Sequence, residues 1–263
     1  MHPVLSFGGA EIHAYTLFTW IGAAAACILA LPALKRAGMT ALQRWIALFL
    51  TCFSFLLGAR LWNLAVNPDN FLGSLQWYSP KLAGLSLYGG GVGAALALVL
   101  FTKACKLRIL PILDAMVVPG GVAFCLARIG CFLNGCCGGK VTDGPFGVLF
   151  PKNDPGKQIL PGLPFFTSNR PVHPTQLYEF VGAALGLAAV VVISRKYLKT
   201  PGMRFCCYAS VFSAMRLSVL PLRAVTYPPI VTNVFYPSLY SGIILAGAAG
   251  ICILARRSRA KSE

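Results

Sequence analysis

Charged side chains are scarce in this chain, and acidic ones are the scarcest. Only 11% of the 263 residues are charged, and seven Asp and Glu residues stand against 23 Lys and Arg residues. With 57% hydrophobic residues, this composition excludes a soluble domain with one buried core and is typical of a polytopic membrane protein. A net charge of +16 would suit a nucleic-acid partner. The basic residues lie mostly in short loops beside apolar segments, however, so we expect no such partner.

Two further features are missing. The N-terminus lacks the positively charged start of a cleavable signal peptide, so we expect the first apolar segment to remain in the protein. The chain also has no internal repeat, which argues against the paired inverted halves found in many transporters. We therefore predict a single integral membrane domain over residues 1–263.

Seven apolar segments are long enough to cross a bilayer as helices, which takes about 17–25 residues each. The loops on one side of these segments hold 14 of the 23 basic residues. By the positive-inside rule that side is cytoplasmic, the N-terminus is outside, and the loops at about 67–86 and 134–174 are extracytoplasmic. The sequence thus predicts an all-α membrane protein with the spans 14–34, 44–66, 87–104, 110–133, 175–194, 203–222 and 237–256.

Arg128, at the outer end of the fourth span, requires a partner. A charge in hydrocarbon costs about 2.5–3.5 kcal/mol on insertion scales, so it marks an ion pair, a pathway or a ligand. Glu179, one turn inside the fifth span, needs a counter-charge for the same reason. Arg216 and Arg223 lie seven residues apart and can face one side, with Pro221 expected to bend or end the helix between them. Three arginines at one membrane depth indicate a phosphate site, and the phosphate available there is a phospholipid headgroup.

Three features of the sequence have more than one interpretation. Arg223 can instead snorkel to lipid phosphates at the membrane surface. The glycine-rich segment 89–93 has the composition of a phosphate loop, but we favour close helix packing. Cys131, Cys136 and Cys137 gather near the outer surface, where a disulfide or a metal site is open to them. Their spacing fits no zinc pattern, and we assign no metal.

Two motifs resemble those of the prolipoprotein diacylglyceryl transferase family. The family run G-R-x-G-N-F-x-N-x-E-x-x-G-R corresponds to A-R-I-G-C-F-L-N-G-C-C-G-G-K at 127–140, and H-P-[ST]-Q-L-Y-E to H-P-T-Q-L-Y-E at 173–179. The resemblance extends over about residues 5–255. It implies an enzyme of the bacterial cytoplasmic membrane, active at the outer leaflet and without a cofactor. Such an enzyme moves a diacylglyceryl group from phosphatidylglycerol to the lipobox cysteine of a prolipoprotein signal peptide, the first step of lipoprotein modification.

The resemblance also implies roles for individual residues. We expect His173, Tyr88 and Glu179 to be catalytic, with His173 or Tyr88 assisting deprotonation of the acceptor thiol. The residues expected to bind the phospholipid are Arg128, Asn134, Gly139, Gln176, Tyr178, Arg216, Arg223 and Tyr15.

Several positions depart from the family pattern and identify the chain as a divergent member. Tyr88 stands where the family has histidine in an S-F-H-G-G segment, and tyrosine is the poorer base at neutral pH. Cys131 and Cys136 replace an asparagine and a glutamate of the first motif, and Leu220 replaces a glutamate between the two arginines. These departures leave two alternatives: a relative with the same lipid donor and a different acceptor, or a lipid-binding membrane protein without catalysis.

Overall fold

Helices account for most of the chain in the computed structural model, which describes residues 4–7, 10–66, 85–150, 170–224 and 228–260. Among these described residues, seven helices are long and apolar enough to span a membrane, so the prediction of an all-α polytopic membrane protein is confirmed. Residues 67–84 and 151–169, in the two predicted outer loops, lie outside the described residues. The helices are α1 Ala14–Arg36, α2 Ala41–Val66, α3 Leu87–Ala104, α4 Ile109–Asn134, α5 Thr175–Lys196, α6 Met203–Val219 and α7 Tyr236–Arg259.

Shorter elements supplement the helices. An antiparallel hairpin of β1 (Val4–Phe7) and β2 (Ala10–His13) precedes α1, and the pattern of apolar residues did not predict it. A 3-10 turn over Leu220–Leu222 follows α6, so the regular helix ends beside Pro221 as predicted. A π-helical turn over Val231–Phe235 leads into α7.

The helices pack mainly in pairs and leave much apolar surface outside. The contacts are most extensive between α1 and α4, α2 and α3, and α6 and α7, while α5 packs against both α4 and α6. Large apolar side chains such as Trp20, Phe49 and Leu185 are 61%, 69% and 66% exposed. In a bilayer, hydrocarbon covers such surfaces, so this exposure is expected of lipid-facing helices.

Glycines bring α2 and α3 into close contact. A Cβ on Gly89 would overlap the carbonyl oxygen of Gly58, and one on Gly93 would overlap that of Ser54. Small residues four apart allow this backbone approach, as at many helix crossings in membranes. The packing interpretation of the glycine-rich start of α3 is thereby confirmed. Gly91, on another face of the helix, meets no atom within 4 Å of its Cβ position.

Asp114 joins α4 to the start of α6 at the end of the bundle opposite to Arg128. Its carboxylate accepts hydrogen bonds from the backbone N–H groups of Gly202, at 2.7 Å, and Phe205, at 2.8 Å. These groups belong to the start of α6, where the helix dipole also favours a negative charge. Asp114 in α4 therefore caps α6.

Gly93→Ala is expected to lower the free energy of unfolding by about 1–3 kcal/mol, because the added methyl group has no space against α2. Gly91→Ala is the matched control, since it makes the same change on the same helix in open space. Unfolding by SDS titration of the protein in mixed micelles measures both variants. Equal midpoints for the two variants would contradict the packing described above.

Candidate active site

Four charged side chains meet at one end of the bundle, and we call them the arginine cage: Arg128 of α4, Glu179 of α5, Arg216 of α6 and Arg223 after the 3-10 turn. Arg128 Nε lies 2.8 Å from Glu179 Oε2, and Arg223 Nη1 lies 2.6 Å from Oε1. Arg216 Nη1 also donates to Oε1. Three guanidinium groups and one carboxylate leave the cage with a net charge of +2.

The side chains of the arginine cage are largely buried. The side chain of Glu179 is 1% exposed, and those of Arg128 and Arg223 are 10% and 15% exposed. Burying charges is costly unless they are paired, and one carboxylate cannot neutralise three guanidinium groups. The surplus positive charge therefore favours an anionic ligand. The expected pairing of Arg128 with Glu179 is confirmed. The alternative that Arg223 snorkels to the surface is wrong, because its guanidinium turns inward to Glu179.

The first turn of α5 fixes the position of Glu179. Thr175 Oγ1 donates to the carbonyl oxygen of Cys137 at 3.0 Å, and Gln176 Nε2 donates to that of Cys136 at 2.6 Å. These bonds dock the start of α5 on the residues that follow α4. Glu179 comes one turn later on the same buried face of the helix. Its carboxylate thereby reaches between α4 and α6.

Tyrosines from α3 and α7 hold the Arg216 guanidinium. Tyr88 Oη accepts a hydrogen bond from Arg216 Nη2 at 2.6 Å, and Tyr240 Oη accepts one from Nε at 3.1 Å. Arg216 Cζ lies 5.5 Å from the centre of the Tyr88 ring, within cation–π range. Tyr88 in turn stacks on Tyr236, with 4.2 Å between ring centres. The sequence analysis missed Tyr236 and Tyr240, since tyrosines at the start of an apolar span resemble interfacial anchors.

Backbone pairing explains why position 139 is glycine. The Gly139 N–H donates to the carbonyl oxygen of His173 at 2.8 Å, and the Lys140 N–H donates to that of Leu222 at 2.8 Å. A Cβ on Gly139 would lie 2.6 Å from both His173 Cβ and the Leu222 carbonyl oxygen. Gly139 thus joins the loop after α4 to the segments before α5 and after α6. This junction brings Arg223 to the cage.

His173 lies to one side of the cage. Its Nδ1 atom is 3.4 Å from the Oη atom of Tyr178, and both side chains are half-buried. Within the described ranges, no hydrogen bond or ion pair joins His173 to the cage. Of the three predicted catalytic residues, Tyr88 and Glu179 both accept hydrogen bonds from Arg216. His173 has no such bond among the described residues.

Two buried amides at this end of the bundle retain unused polar atoms. Neither Nδ2 nor Oδ1 of Asn134 has a hydrogen-bond partner among the residues that the structure describes, and the same holds for Gln176 Oε1. An unsatisfied buried polar group costs about 1–3 kcal/mol, so these atoms point to a polar ligand. Tyr15, in the first turn of α1, interacts electrostatically with Arg128 and Cys131. Its phenol therefore lies near the same site.

Three cysteines adjoin Arg128. The sulfur atoms of Cys131, Cys136 and Cys137 lie within 4.8 Å of one another. Hydrogen bonds from the other two thiols lower the pKa of Cys137 well below its usual value, and the charges of Arg128 and Arg223 act in the same direction. The sequence analysis left a disulfide or a metal site open to these cysteines, and the structure brings their three sulfur atoms together.

Comparison with known proteins identifies the family. A family-wide sequence profile, described as prolipoprotein diacylglyceryl transferase, matches residues 3–255. The chain belongs to the prolipoprotein diacylglyceryl transferase family. It is therefore a multi-pass membrane protein of a family of transferases.

Individual relatives agree with the profile. A phosphatidylglycerol–prolipoprotein diacylglyceryl transferase of Clostridium tetani is 30% identical over 224 residues, which cover 85% of this chain and 86% of the relative. A protein of the same name from Caulobacter vibrioides is 34% identical over 170 residues, covering 62% of this chain and 54% of the relative. Another from Rickettsia bellii is 30% identical over 198 residues, covering 73% and 68%.

Glu179→Gln is expected to lower the free energy of unfolding by about 3–5 kcal/mol, because three guanidinium groups would stay buried without a counter-charge. Asp143→Asn is the matched control. Asp143 pairs with Arg170 at 3.1 Å, but its side chain is 83% exposed, so solvent screens the pair and little change is expected. SDS-titration midpoints of both variants provide the measurement. An equal effect of the two substitutions would show that the cage does not depend on Glu179.

Proposed function

We propose that this protein transfers a diacylglyceryl group from phosphatidylglycerol to the lipobox cysteine of prolipoprotein signal peptides, the first step of lipoprotein modification. The observation that carries the proposal is the buried arginine cage with its net charge of +2. The names of the three relatives described above support the same donor and the same class of acceptor.

The charge of the cage suits the chemistry of this transfer. The thiolate sulfur forms a bond to a glycerol carbon, the bond from that carbon to a phosphate oxygen breaks, and glycerol phosphate departs with the electron pair. The phosphodiester carries one negative charge, whereas the departing monoester carries about 1.5 to 2 near neutral pH. Negative charge on the phosphate therefore grows during the step. Fixed guanidinium groups stabilise the transition state more than the bound lipid, which is what accelerates a reaction.

The side chains around the cage supply the remaining contacts of the headgroup in this proposal. Arg128, Arg216 and Arg223 hold the phosphate, since a guanidinium fork matches two phosphate oxygens. The unused amide atoms of Asn134 and Gln176 both donate and accept hydrogen bonds, as the hydroxyl groups of the headgroup glycerol do.

Three further predicted binding residues border this site. Tyr15 interacts electrostatically with Arg128, and Tyr178 lies within hydrogen-bond distance of His173. Gly139 acts indirectly, by allowing the backbone junction that places Arg223. The transfer exchanges one bond to carbon for another without oxidation or reduction, and we propose that it uses no cofactor.

The acceptor thiol must lose its proton, because the thiolate is the nucleophile. Tyr88 contacts the cage through Arg216, whereas His173 hydrogen-bonds only to Tyr178 among the described side chains. We therefore assign acceptance of the proton to Tyr88 in its phenolate form, whose oxygen Arg216 holds by a hydrogen bond. His173 is the alternative base, and comparison of Tyr88→Phe with His173→Gln distinguishes the two residues.

The orientation of the site follows from the loop charges. The cage lies where α4 and α6 end and where α3, α5 and α7 begin, while the basic loop residues of that set that the structure describes, 13 of the 14, lie at the other end of the bundle. The positive-inside rule makes the basic end cytoplasmic. The proposed site then faces the outer leaflet of the bacterial cytoplasmic membrane, where phospholipids and secreted preproteins meet.

Arg128→Ala is expected to lower the transfer rate by about 10²–10³-fold, because the growing phosphate charge loses one of its fixed donors. The assay uses vesicles of phosphatidylglycerol and a lipobox peptide, and measures the thioether product. Growth of cells depleted of their own transferase provides the second readout. Arg170→Ala is the matched control, because its ion pair with Asp143 is exposed and lies outside the cage.

Two outcomes would change the assignment. Full growth rescue by Arg128→Ala at normal protein levels would overturn the catalytic role of the cage. Failure of the unmutated protein to rescue growth, together with lipid transfer to another acceptor, would favour the alternative of a relative with the same donor.

Tyr88→Phe is expected to slow transfer by about 10²–10⁴-fold, because the variant has no phenolate oxygen to accept the thiol proton. Tyr197→Phe, which alters a tyrosine that is 65% exposed, is the matched control. Full activity of Tyr88→Phe, with a rate loss of this size in His173→Gln instead, would transfer the role to His173.

A further inference from the structure

We propose that Cys131, Cys136 and Cys137 form a binding site for one soft, thiophilic cation held by three sulfur atoms, of which Cu(I) is the representative ion. The proposal rests on the arrangement of these residues and does not depend on the proposed function. Soft thiolate ligands select ions of this kind over harder cations.

The end of α4 brings the first two sulfur atoms together. Gly135 adopts the left-handed conformation at φ +73°, the Gly135 N–H donates to the carbonyl oxygen of Phe132 at 3.2 Å, and the Cys136 N–H donates to that of Cys131 at 3.1 Å. This is the Schellman motif, in which side chains at the positions of Cys131 and Cys136 come into contact. Both cysteines are buried, at 5% and 0% exposure.

An unusual backbone conformation turns the third cysteine back toward the other two. Cys137 has a φ of +61°, in the left-handed region that residues other than glycine rarely adopt. The carbonyl oxygens of Cys136 and Cys137 are held by Gln176 and Thr175, whose side chains are fully buried. These two hydrogen bonds hold the chain in this conformation. The loop that carries Cys136 and Cys137 is therefore preorganised and is held by hydrogen bonds from α5, as metal sites require.

The separations of the sulfur atoms fit a three-coordinate ion. Metal–sulfur bonds of about 2.3 Å place three sulfur atoms about 4 Å apart around a central ion. The three sulfur atoms here lie within 4.8 Å of one another, so a closure of under 1 Å completes the site. Within the described part of the chain, no His, Asp or Glu ligand atom joins this group. Structural zinc sites use four ligands, so the ligand number favours Cu(I).

The surrounding charge also fits such an ion. Three thiolates and one monovalent cation carry a net negative charge, opposite in sign to the charge of the neighbouring arginine cage. Arg128 interacts electrostatically with all three cysteines, so the two charged groups adjoin. Burying a charged metal–thiolate group is therefore offset by charges already present in the protein.

Titration of the reduced full-length protein in detergent with Cu(I), under anaerobic conditions and against bathocuproine disulfonate, tests the proposal. We expect one copper ion per chain to resist the chelator. The X-ray absorption spectrum of this complex should show a first shell of three sulfur atoms, a readout that needs no variant. Cys131→Ser, Cys136→Ser and Cys137→Ser should each lose chelator-resistant copper. Cys105→Ser and Cys252→Ser, which alter cysteines outside the cluster, should bind copper as the unmutated protein does.

Thr175→Val tests the support from α5, since it removes the hydrogen bond to Cys137 while keeping the shape of the side chain. Copper affinity should fall by about 10–100-fold, the usual effect of losing an outer partner of a metal ligand. Copper retained by the three cluster variants, or a first shell containing nitrogen or oxygen, would overturn the proposal. A Cys131–Cys136 disulfide in protein isolated without reductant would overturn it in favour of a structural crosslink.

Discussion

Glu179 holds together three segments of the chain whose arginines would otherwise repel one another. Its carboxylate, in α5, contacts guanidinium groups from α4, from α6 and from the turn after α6. Without it, three like charges would share a site withdrawn from water, which no packing of apolar side chains compensates. With it, the site keeps a fixed surplus of positive charge. The same contact thus stabilises the helix arrangement and creates the affinity for an anion.

The position of this carboxylate depends on the end of α4. The carbonyl oxygens of Cys136 and Cys137 accept the hydrogen bonds that dock the first turn of α5, and Glu179 follows on the same face. Gly139, a few residues later, forms the junction that directs Arg223 into the cage. One loop therefore supports both the proposed phospholipid site and the proposed copper site. Of the two cysteines that depart from the family motif, Cys131 lies in the last turn of α4 and Cys136 lies in that loop, and both are within electrostatic range of Arg128.

Different kinds of signal made different parts of this structure predictable. The spans could be predicted because a bilayer requires a minimum length of apolar sequence. The glycines at 89–93 favoured close packing over a phosphate loop, because small residues let helices in a membrane approach each other closely. Partners could be predicted for Arg128 and Glu179, because an unpaired charge within a membrane span is costly. Arg223 left two interpretations, since a long side chain near a helix end can turn inward or outward. Tyr236 and Tyr240 gave no signal, because their role arises from which helix lies beside Arg216.

The sequence by itself determined that this is a seven-span membrane protein with a few charged residues inside the spans near one surface. This was possible because hydropathy and charge are properties of short segments of the chain. It also indicated the family through two short motifs. Only the tertiary structure decided that one carboxylate holds three arginines, that tyrosines from α3 and α7 hold Arg216, and that three sulfur atoms meet. These contacts join residues far apart in the chain or depend on a backbone conformation such as that of Cys137. Sequence spacing does not specify such distances, because they are set by how the helices pack against each other.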